Sequence, residues 1–388
     1  MSNLPKGWEE VKLGEILNIQ TGKKNAQDSK ENGEYPFFTR SIDTQKIDTY
    51  SFDTEALFIA GEGNFTVKYY KGKFDLHQRT YMLTALKENT VDLKFLQNNI
   101  QPKVYQLVAT SVGSTVQSLR KPIIEALKIP LPPLEEQKKI ANILSTVDKK
   151  IAFVEENINA TEELKKGLMQ KLLTEGIGHT EFKDSELGRI PESWEIKSLS
   201  KVCNKVVDKN KDLLYVNVLT NSATLGIISQ NEYFDREIVT EKNLVNYFVV
   251  NKFDYIYNPR ISINAPCGPI NQCKKYENGI VSPLYTVFRI EKDSINNDYL
   301  EFYFLSNHWN KYIKDNSNTG ARHDRMSISD KLFFSMPIFI PPVEEQKQIA
   351  EILSTVDKKL ENLKNKKLFF EELKKGLMQK LLTGEVRV

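Results

Sequence analysis

The stretch IPLPPLEEQKKIANILSTVDKKI at residues 129–151 recurs as IFIPPVEEQKQIAEILSTVDKKL at 338–360, and EELKKGLMQKLLT at 162–174 recurs unchanged at 371–383. Both pairs keep one spacing of 209 residues (129 to 338, 162 to 371). Repetition at a fixed spacing decides the architecture before any single element is assigned. A fainter echo precedes each copy: LPKGWEEVKL at 4–13 against IPESWEIKSL at 190–199, keeping Pro5/Pro191, Trp8/Trp194, Glu9/Glu195 and Leu13/Leu199. The chain therefore reads as one plan written twice: a Pro/Trp entry, a variable segment, a proline-led exit and a long helix.

The helix has a readable start and stop. Pro132-Pro133 and Pro341-Pro342 end the extended segment before it, and Glu135-Glu136 and Glu344-Glu345 then lie where the helix dipole favours negative charge. Lys165, Lys166 and Lys171 fall towards the other end, with Gly176 soon after. About 40 residues of helix would extend roughly 60 Å, too far for one small domain to cover. Apolar positions Ile140, Leu144, Val147, Ile151, Val154 and Ile158 alternate steps of four and three, as do Ile349, Leu353, Val356, Leu360 and Leu363. That is the seam of a left-handed coiled coil, so the two helices are expected to pack on each other, antiparallel, in a pseudo-twofold repeat. The other reading has each helix dock separately on its own domain.

The variable segments, about 15–128 and 200–336, share almost nothing. YPFFTR, ALFIAG, FTVKYY and TYMLTAL in the first, and LLYVNVL, NYFVV and LYTVFRI in the second, are short β-branched and aromatic runs divided by Gly, Asn, Asp and Pro. Helix is expected around 92–107 and 298–314. The fold class is thus α+β: two domains with curved mixed sheets, joined by the long helices. Trp8, Trp194 and most of the other aromatics read as core.

Bulk properties set outer bounds. In 388 residues, 54 Lys and Arg against 51 Asp and Glu give a formal charge of only +3, so a nucleic-acid ligand has to be argued from the placement of charge. No run of apolar residues is long enough to span a bilayer, and MSNLPKGWEE lacks the layout of a secretory leader; a cytoplasmic protein without a membrane partner is expected. Cys203, Cys267 and Cys273 lack C-x-x-C spacing and read as reduced, structural thiols.

The P-x-x-W entry, the I-P-L-P-P-L-E-E-Q exit leading into K-x-I-A-x-I-L, and the repetition of both resemble Type I restriction-modification specificity subunits over essentially the whole chain. GEGNFTVKYYKGKFDLHQRTYML at 61–83, Gly113-Ser114-Thr115, and YIYNPRISINAPCGPINQCKKYENGIVSPLYTVFRI at 255–290 look like phrases of that family's target-recognition domains. The resemblance implies recognition domains at 1–133 and 190–342, conserved helices at 134–175 and 343–388, and a linker at 176–189. It implies a non-catalytic subunit whose domains each read one half of a bipartite double-stranded DNA site. The helices would set the spacer and dock two methyltransferase subunits, which admit restriction/translocase subunits. No cofactor is implied in this chain; S-adenosylmethionine, ATP and Mg would belong to the partners.

Sequence reading needs base-edge donors and acceptors, with Arg suited to guanine and Asn or Gln to adenine, while Lys and backbone amides hold phosphates. The candidates in the first domain are Lys23, Lys24, Arg40, Lys68, Gln78, Arg79, Ser114 and Thr115. In the second they are Asn258, Arg260, Asn264, Thr319, Arg322, His323 and Arg325. Each of them could equally be a solvated surface group.

Catalytic and metal residues are not expected. Asn258-Pro259-Arg260-Ile261 lacks the second proline and the aromatic of a (D/N)-P-P-(Y/F/W) methyltransferase loop. Gly61-Glu62-Gly63 has no strand-to-helix unit and reads as a turn; there is no G-x-x-x-x-G-K-[ST] loop; and His77, His179, His308 and His323 show no metal spacing. The readings left standing beside the targeting subunit are a self-contained DNA methyltransferase and a coiled-coil scaffold that binds something other than DNA.

Overall fold

Two helices, Leu134–Leu172 and Val343–Thr383, dominate by length, at 39 and 41 residues. The computed structural model describes residues 4–110, 118–233, 241–291, 294–319 and 324–388. The chain divides into two units: Met1–Asn157 with Leu363–Val388, and Ile158–Asn362. Each unit therefore holds the first turns of one long helix and the last turns of the other.

The first turn of each long helix explains the repeated E-E-Q. Glu135 and Glu344 are exposed and pair with Lys138 and Lys347, each at 2.8 Å. Glu136 and Glu345 are buried and accept the indole N–H of Trp8 (3.2 Å) and Trp194 (3.0 Å). Gln137 and Gln346 are 1% exposed and make matching bonds. Their side-chain oxygens accept from the backbone N–H of Asp92 (2.8 Å) and Asn296 (2.7 Å), and their amides donate to Pro132 O and Pro341 O (both 2.8 Å). A buried polar group costs roughly 1–3 kcal/mol when unpaired, so each of these side chains fixes three backbone segments at once.

Both carboxylates take further donors. Arg387 forks onto Glu136 at 2.6 and 2.7 Å and its third nitrogen reaches Lys6 O at 2.9 Å; Glu345 accepts from Ile177 N (2.9 Å) and faces His179 Nε2 (2.8 Å). Gly384 and Gly176, at φ +75 and +66, end the two helices hard against the tryptophans. A Cβ on Gly384 would lie 2.4 Å from Pro5 and one on Gly176 2.8 Å from Trp194, so only glycine serves at these helix ends.

Along the seam, Ile140, Leu144, Val154, Ile158, Ile349, Leu353 and Leu360 are buried. The pairing is antiparallel in each unit. Lys374 meets Asp148 at 2.7 Å and Lys367 meets Glu155 at 3.0 Å in unit 1; Lys165 meets Asp357 at 2.6 Å in unit 2. The helices also enter the domain cores. Ile140, Leu144, Leu381 and Leu382 pack with Trp8, Leu57, Phe95 and Ile100, and Leu172, Leu173, Ile349 and Leu353 pack with Trp194, Tyr299 and Phe339. Seam packing and docking on the domain, weighed above as alternatives, occur together.

In unit 1 the sheet runs Leu17–Thr21, Thr80–Ala85, Phe52–Ala60, Lys68–Leu76, Tyr35–Phe38, Gln45–Ile47, all antiparallel except Tyr35–Phe38 beside Lys68–Leu76. Helix Leu93–Thr110 covers one face through Phe95, Leu96, Ile100 and Val104; Phe38, Phe58, Phe74 and Met82 line the other. Unit 2 has a four-stranded antiparallel sheet, Cys203–Lys205, Thr286–Ile290, Tyr255–Tyr257, Ile270–Gln272, with separate hairpins and ladders around it. Entry and exit pair identically in both: Glu9–Lys12 with Lys128–Leu131, and Glu195–Ser198 with Pro337–Ile340.

Four details depart from the pattern reading. LLYVNVL does not form a strand: Leu213 has φ +53, Leu214 and Val216 are 75% and 77% exposed, and the ladder starts only at Leu219. The Asn210 side chain bonds both Tyr215 N and Tyr215 O, at 3.1 and 2.8 Å, taking the backbone groups a strand needs. The helix expected at 298–314 is two, Asn297–Leu305 and Asn310–Asn316, because the Ser306 hydroxyl and the Trp309 indole cap Tyr303 O and Phe304 O at 2.5 and 3.0 Å. The strand expected over FTVKYY begins only at Lys68. Residues 176–189, expected as a linker, include strand Phe182–Ser185 and the start of Gly188–Pro191, which form a hairpin.

All three cysteines are buried and free. Burial pushes the Cys203 thiol up to about 12 and Cys273 to about 11, and raises Cys267. At pH 8 the Cys203 thiolate would be about one part in ten thousand, and the thiolate is the nucleophile. Iodoacetamide at pH 8 is expected to leave the native chain unlabelled and to add three carboxamidomethyl groups in urea, counted by intact-mass spectrometry; native labelling at Cys203 would contradict this core.

Candidate nucleic-acid interface

In unit 1 a short segment of backbone gathers most of the candidate side chains. Gly22 packs so closely on strand Lys68–Leu76 that a Cβ would lie 1.8 Å from Leu76 O, which lets Lys24 N bond Leu76 O (3.3 Å) and Gln78 N bond Lys24 O (2.9 Å). Gln78 donates its side-chain amide to Asn25 at 2.6 Å, and Lys24 lies 3.8 Å from the buried Asp75 carboxylate. Lys23 is exposed beside them. Lys68 donates to Ser41 O at 2.9 Å, and burial lowers its pKa.

Arg40 and Arg79 meet at one acid. Glu62, in the Gly61-Glu62-Gly63 turn, accepts from Arg79 Nη1 at 2.8 and 2.9 Å and from Arg40 Nη1. The hydrogen bond from Arg79, then that from Arg40, holds the Glu62 carboxyl below its usual value against the opposing effect of burial. His77, 3% exposed, accepts from Arg79 N at 3.0 Å; burial and then the charges of Arg40 and Arg79 push its pKa down, which favours the neutral ring. Ser118 bridges to Glu62, and Leu119 N bonds Gly61 O at 2.8 Å. Ser114 and Thr115 lie outside the described residues.

Unit 2 repeats the arrangement with different residues. Arg260 and Arg325 form a β-bridge, Met326 N bonds Pro259 O at 2.9 Å, and Asp324 lies 3.7 Å from Arg260 and 3.4 Å from Arg325. Burial opposes ionisation of Asp324, but the Arg325 hydrogen bond and both charges keep its pKa below the ordinary value. Asn258 belongs to an amide network: its side chain donates to Asn221 O (3.0 Å) and accepts from Arg260 N (3.1 Å), while Asn221 donates to Ile256 O (2.6 Å) and accepts from Asn271 (2.7 Å). Both ends of the Asn258 amide thus take part in bonds within the protein. Asn258, Arg260 and Arg325 line an open cleft of about 500 Å³ together with Thr220, Tyr247 and Tyr285.

Asn264 stands apart, exposed in loop 262–265 on a different cleft beside the long helix. Thr319 pairs through its backbone with Met326, its side chain being outside the described residues, as are Arg322 and His323. Sequence reading passed over Glu62, Asp324, Tyr247 and Tyr285. Glu62 carried a usable signal, an acid between two glycines in a segment otherwise rich in basic groups; the tyrosines carried none, because core and cleft aromatics look alike in sequence. No group of three or more His, Cys, Asp or Glu is placed to hold a metal among the described residues, and no described helix is long and apolar enough to cross a membrane.

Residues 5–163 and 191–369 each match the Type I restriction modification DNA specificity domain. The chain belongs to that family. Among its relatives, the MjaX type I restriction enzyme specificity subunit of Methanocaldococcus jannaschii is 32% identical over 100% of this chain and 96% of its own length. The MjaVIII specificity subunit of the same organism is 28% identical over 99% and 94%. The crystal structure of a Type I restriction-modification S subunit from M. genitalium shares the fold at a TM-score of 0.63, with 16% identity over 98% of this chain and 97% of that one. The matched domains of this specificity subunit carry the Trp–Glu–Gln contacts at 8, 136, 137 and at 194, 345, 346.

A bidentate Arg–guanine contact is worth about 1–3 kcal/mol of discrimination. Arg260→Ala is therefore expected to relax base preference at one position of one half-site by about tenfold and to leave the other half-site unchanged. Competition binding with single-base variants of the target checks this, and equal loss at every position would reassign Arg260 to phosphate contact.

Proposed function

We propose that each unit reads one half of a bipartite double-stranded DNA site, through the Lys24–Arg40–Lys68–Gln78–Arg79 cluster in unit 1 and the Asn258–Arg260–Arg325 cleft in unit 2. The long helices set the spacer between the halves. They also dock two methyltransferase subunits, and through these the restriction/translocase subunits. The protein targets and does not catalyse; S-adenosylmethionine, ATP and Mg are used by the partners.

The observation that carries this reading is the recurrence of one local arrangement in two unrelated variable segments. In both, two arginines lie around one acid, Glu62 with Arg40 and Arg79 and Asp324 with Arg260 and Arg325, on a framework whose Trp–Glu–Gln contacts match in the two copies. A modular reader needs that division: a fixed frame that presents changeable side chains to base edges, with lysines on the phosphates. The net charge stays small because only these faces meet DNA.

Co-expression with a methyltransferase subunit of a Type I restriction-modification system, followed by sequencing of modified adenines, is expected to give one bipartite motif with a fixed spacer. Methylation that continues unchanged without this chain would sink the reading and favour the scaffold. Exchange of residues 15–128 for the corresponding segment of another family member is expected to alter one half of the motif only; a change in both halves would overturn the modular assignment.

A further inference from the structure

The turn that carries Glu62 is tied to the backbone of both segments whose arginines the Glu62 side chain binds. Gly61 N bonds Arg79 O at 2.9 Å, Asn64 N bonds Arg40 O at 3.2 Å, and Gly63, at φ +83, turns the chain against Arg40 O. The Glu62 side chain is 17% exposed, while those of Arg40 and Arg79 are 43% and 62% exposed. The acid is thus sheltered and fixed, and the guanidinium groups project past it. Arg79 binds both Glu62 oxygens through one nitrogen, and its remaining side-chain donors have no bond among the described residues.

Exposed ion pairs contribute little to stability, so folding gives weak grounds for spending one acid on two half-exposed arginines. Two other effects are larger. A long flexible arginine that is free to turn will satisfy any phosphate, and non-specific attraction grows with each uncompensated cation. An arginine whose head is already gripped on one side presents its other donors in one attitude, which suits a planar acceptor pair on a base edge. The same device recurs in unit 2 from different residues, with Asp324 between Arg260 and Arg325.

We propose that Glu62 is a specificity-positioning residue: it orients Arg40 and Arg79 and cancels part of their charge, so that they reward a matched base pattern over bare DNA backbone. Asp324 does the same for Arg260 and Arg325. This rests on the reading that these arginines face DNA, and the test separates the two claims.

The full chain is co-expressed with its methyltransferase partner as wild type, Glu62→Gln, Glu62→Asp, Asp324→Asn and the double variant Arg40→Ala/Arg79→Ala. Methylation is scored at sites mismatched in either half, and binding to an unrelated duplex is followed against salt. Glu62→Gln is expected to raise methylation at sites mismatched in unit 1's half by about tenfold. Fidelity in the other half should hold, and binding to the unrelated duplex should tighten, its salt slope steepening by about one. Glu62→Asp should fall between, and Asp324→Asn should relax the opposite half alone, which keeps the proposal testable if a Glu62 variant fails to fold. Unchanged discrimination and salt slope in Glu62→Gln and Asp324→Asn, with the arginine double variant impaired, would overturn the positioning role and leave each acid a structural latch, whatever the melting temperature does. An arginine double variant that binds and methylates as wild type would remove the DNA-facing reading itself, and the inference with it.

Discussion

A tryptophan indole donating to a carboxylate that is almost out of water holds each half of this protein together. Glu136 and Glu345 are only 6% and 9% exposed, yet both sit in the first turn of a helix about 40 residues long. A buried carboxylate is tolerated when its lone pairs are all engaged, and there the helix dipole, the indole and a third donor engage them. Because the indole belongs to the entry segment and the carboxylate to the exit, this bond closes each variable segment into a loop with fixed ends. The neighbouring glutamine ties in the start of a third helix. Everything between the two ends can change its sequence as long as it delivers the chain back to the same place.

That constraint accounts for the unequal legibility of the chain. The framework could be read from its residues because its contacts are local in pattern: prolines stop a strand, acids start a helix, and most of the apolar steps of four and three are buried, Ile140, Leu144 and Leu353 among them, with Ile151, Val356 and Leu363 partly so. The roles of Glu136 and Gln137 were not legible, since nothing in E-E-Q says that its first member faces water while the next two are buried. Only contacts over 128 residues and 45 residues, with Trp8 and with the Asp92 backbone, distinguish them.

Inside the variable segments, strand-like runs predicted strands well where the ladder partner was present and badly where a side chain took its place. Tyr215 is the clearest case: β-branched and aromatic neighbours promise a strand, but one asparagine five residues earlier takes both of its backbone groups. The basic candidates could be chosen by residue type, and the fold brings Lys24, Arg40, Gln78 and Arg79 into one neighbourhood. What type could not reveal is that Arg40 and Arg79 share an acid. Their common partner lies 22 and 17 residues away, in a turn that looked like a loop of no consequence.

The two closures differ in one respect. In unit 2 the chain passes without a break from the end of a long helix, through Gly176, to Trp194. In unit 1 the equivalent place is where Gly384 and Arg387 meet Pro5, Lys6 and Glu136. One closure runs along the chain, and the other is made by the Arg387 fork on the buried Glu136 and by Gly384 packed against Pro5 and Trp8. The same bond between a tryptophan and a glutamate is thus reached by two routes, along the chain in unit 2 and across it in unit 1.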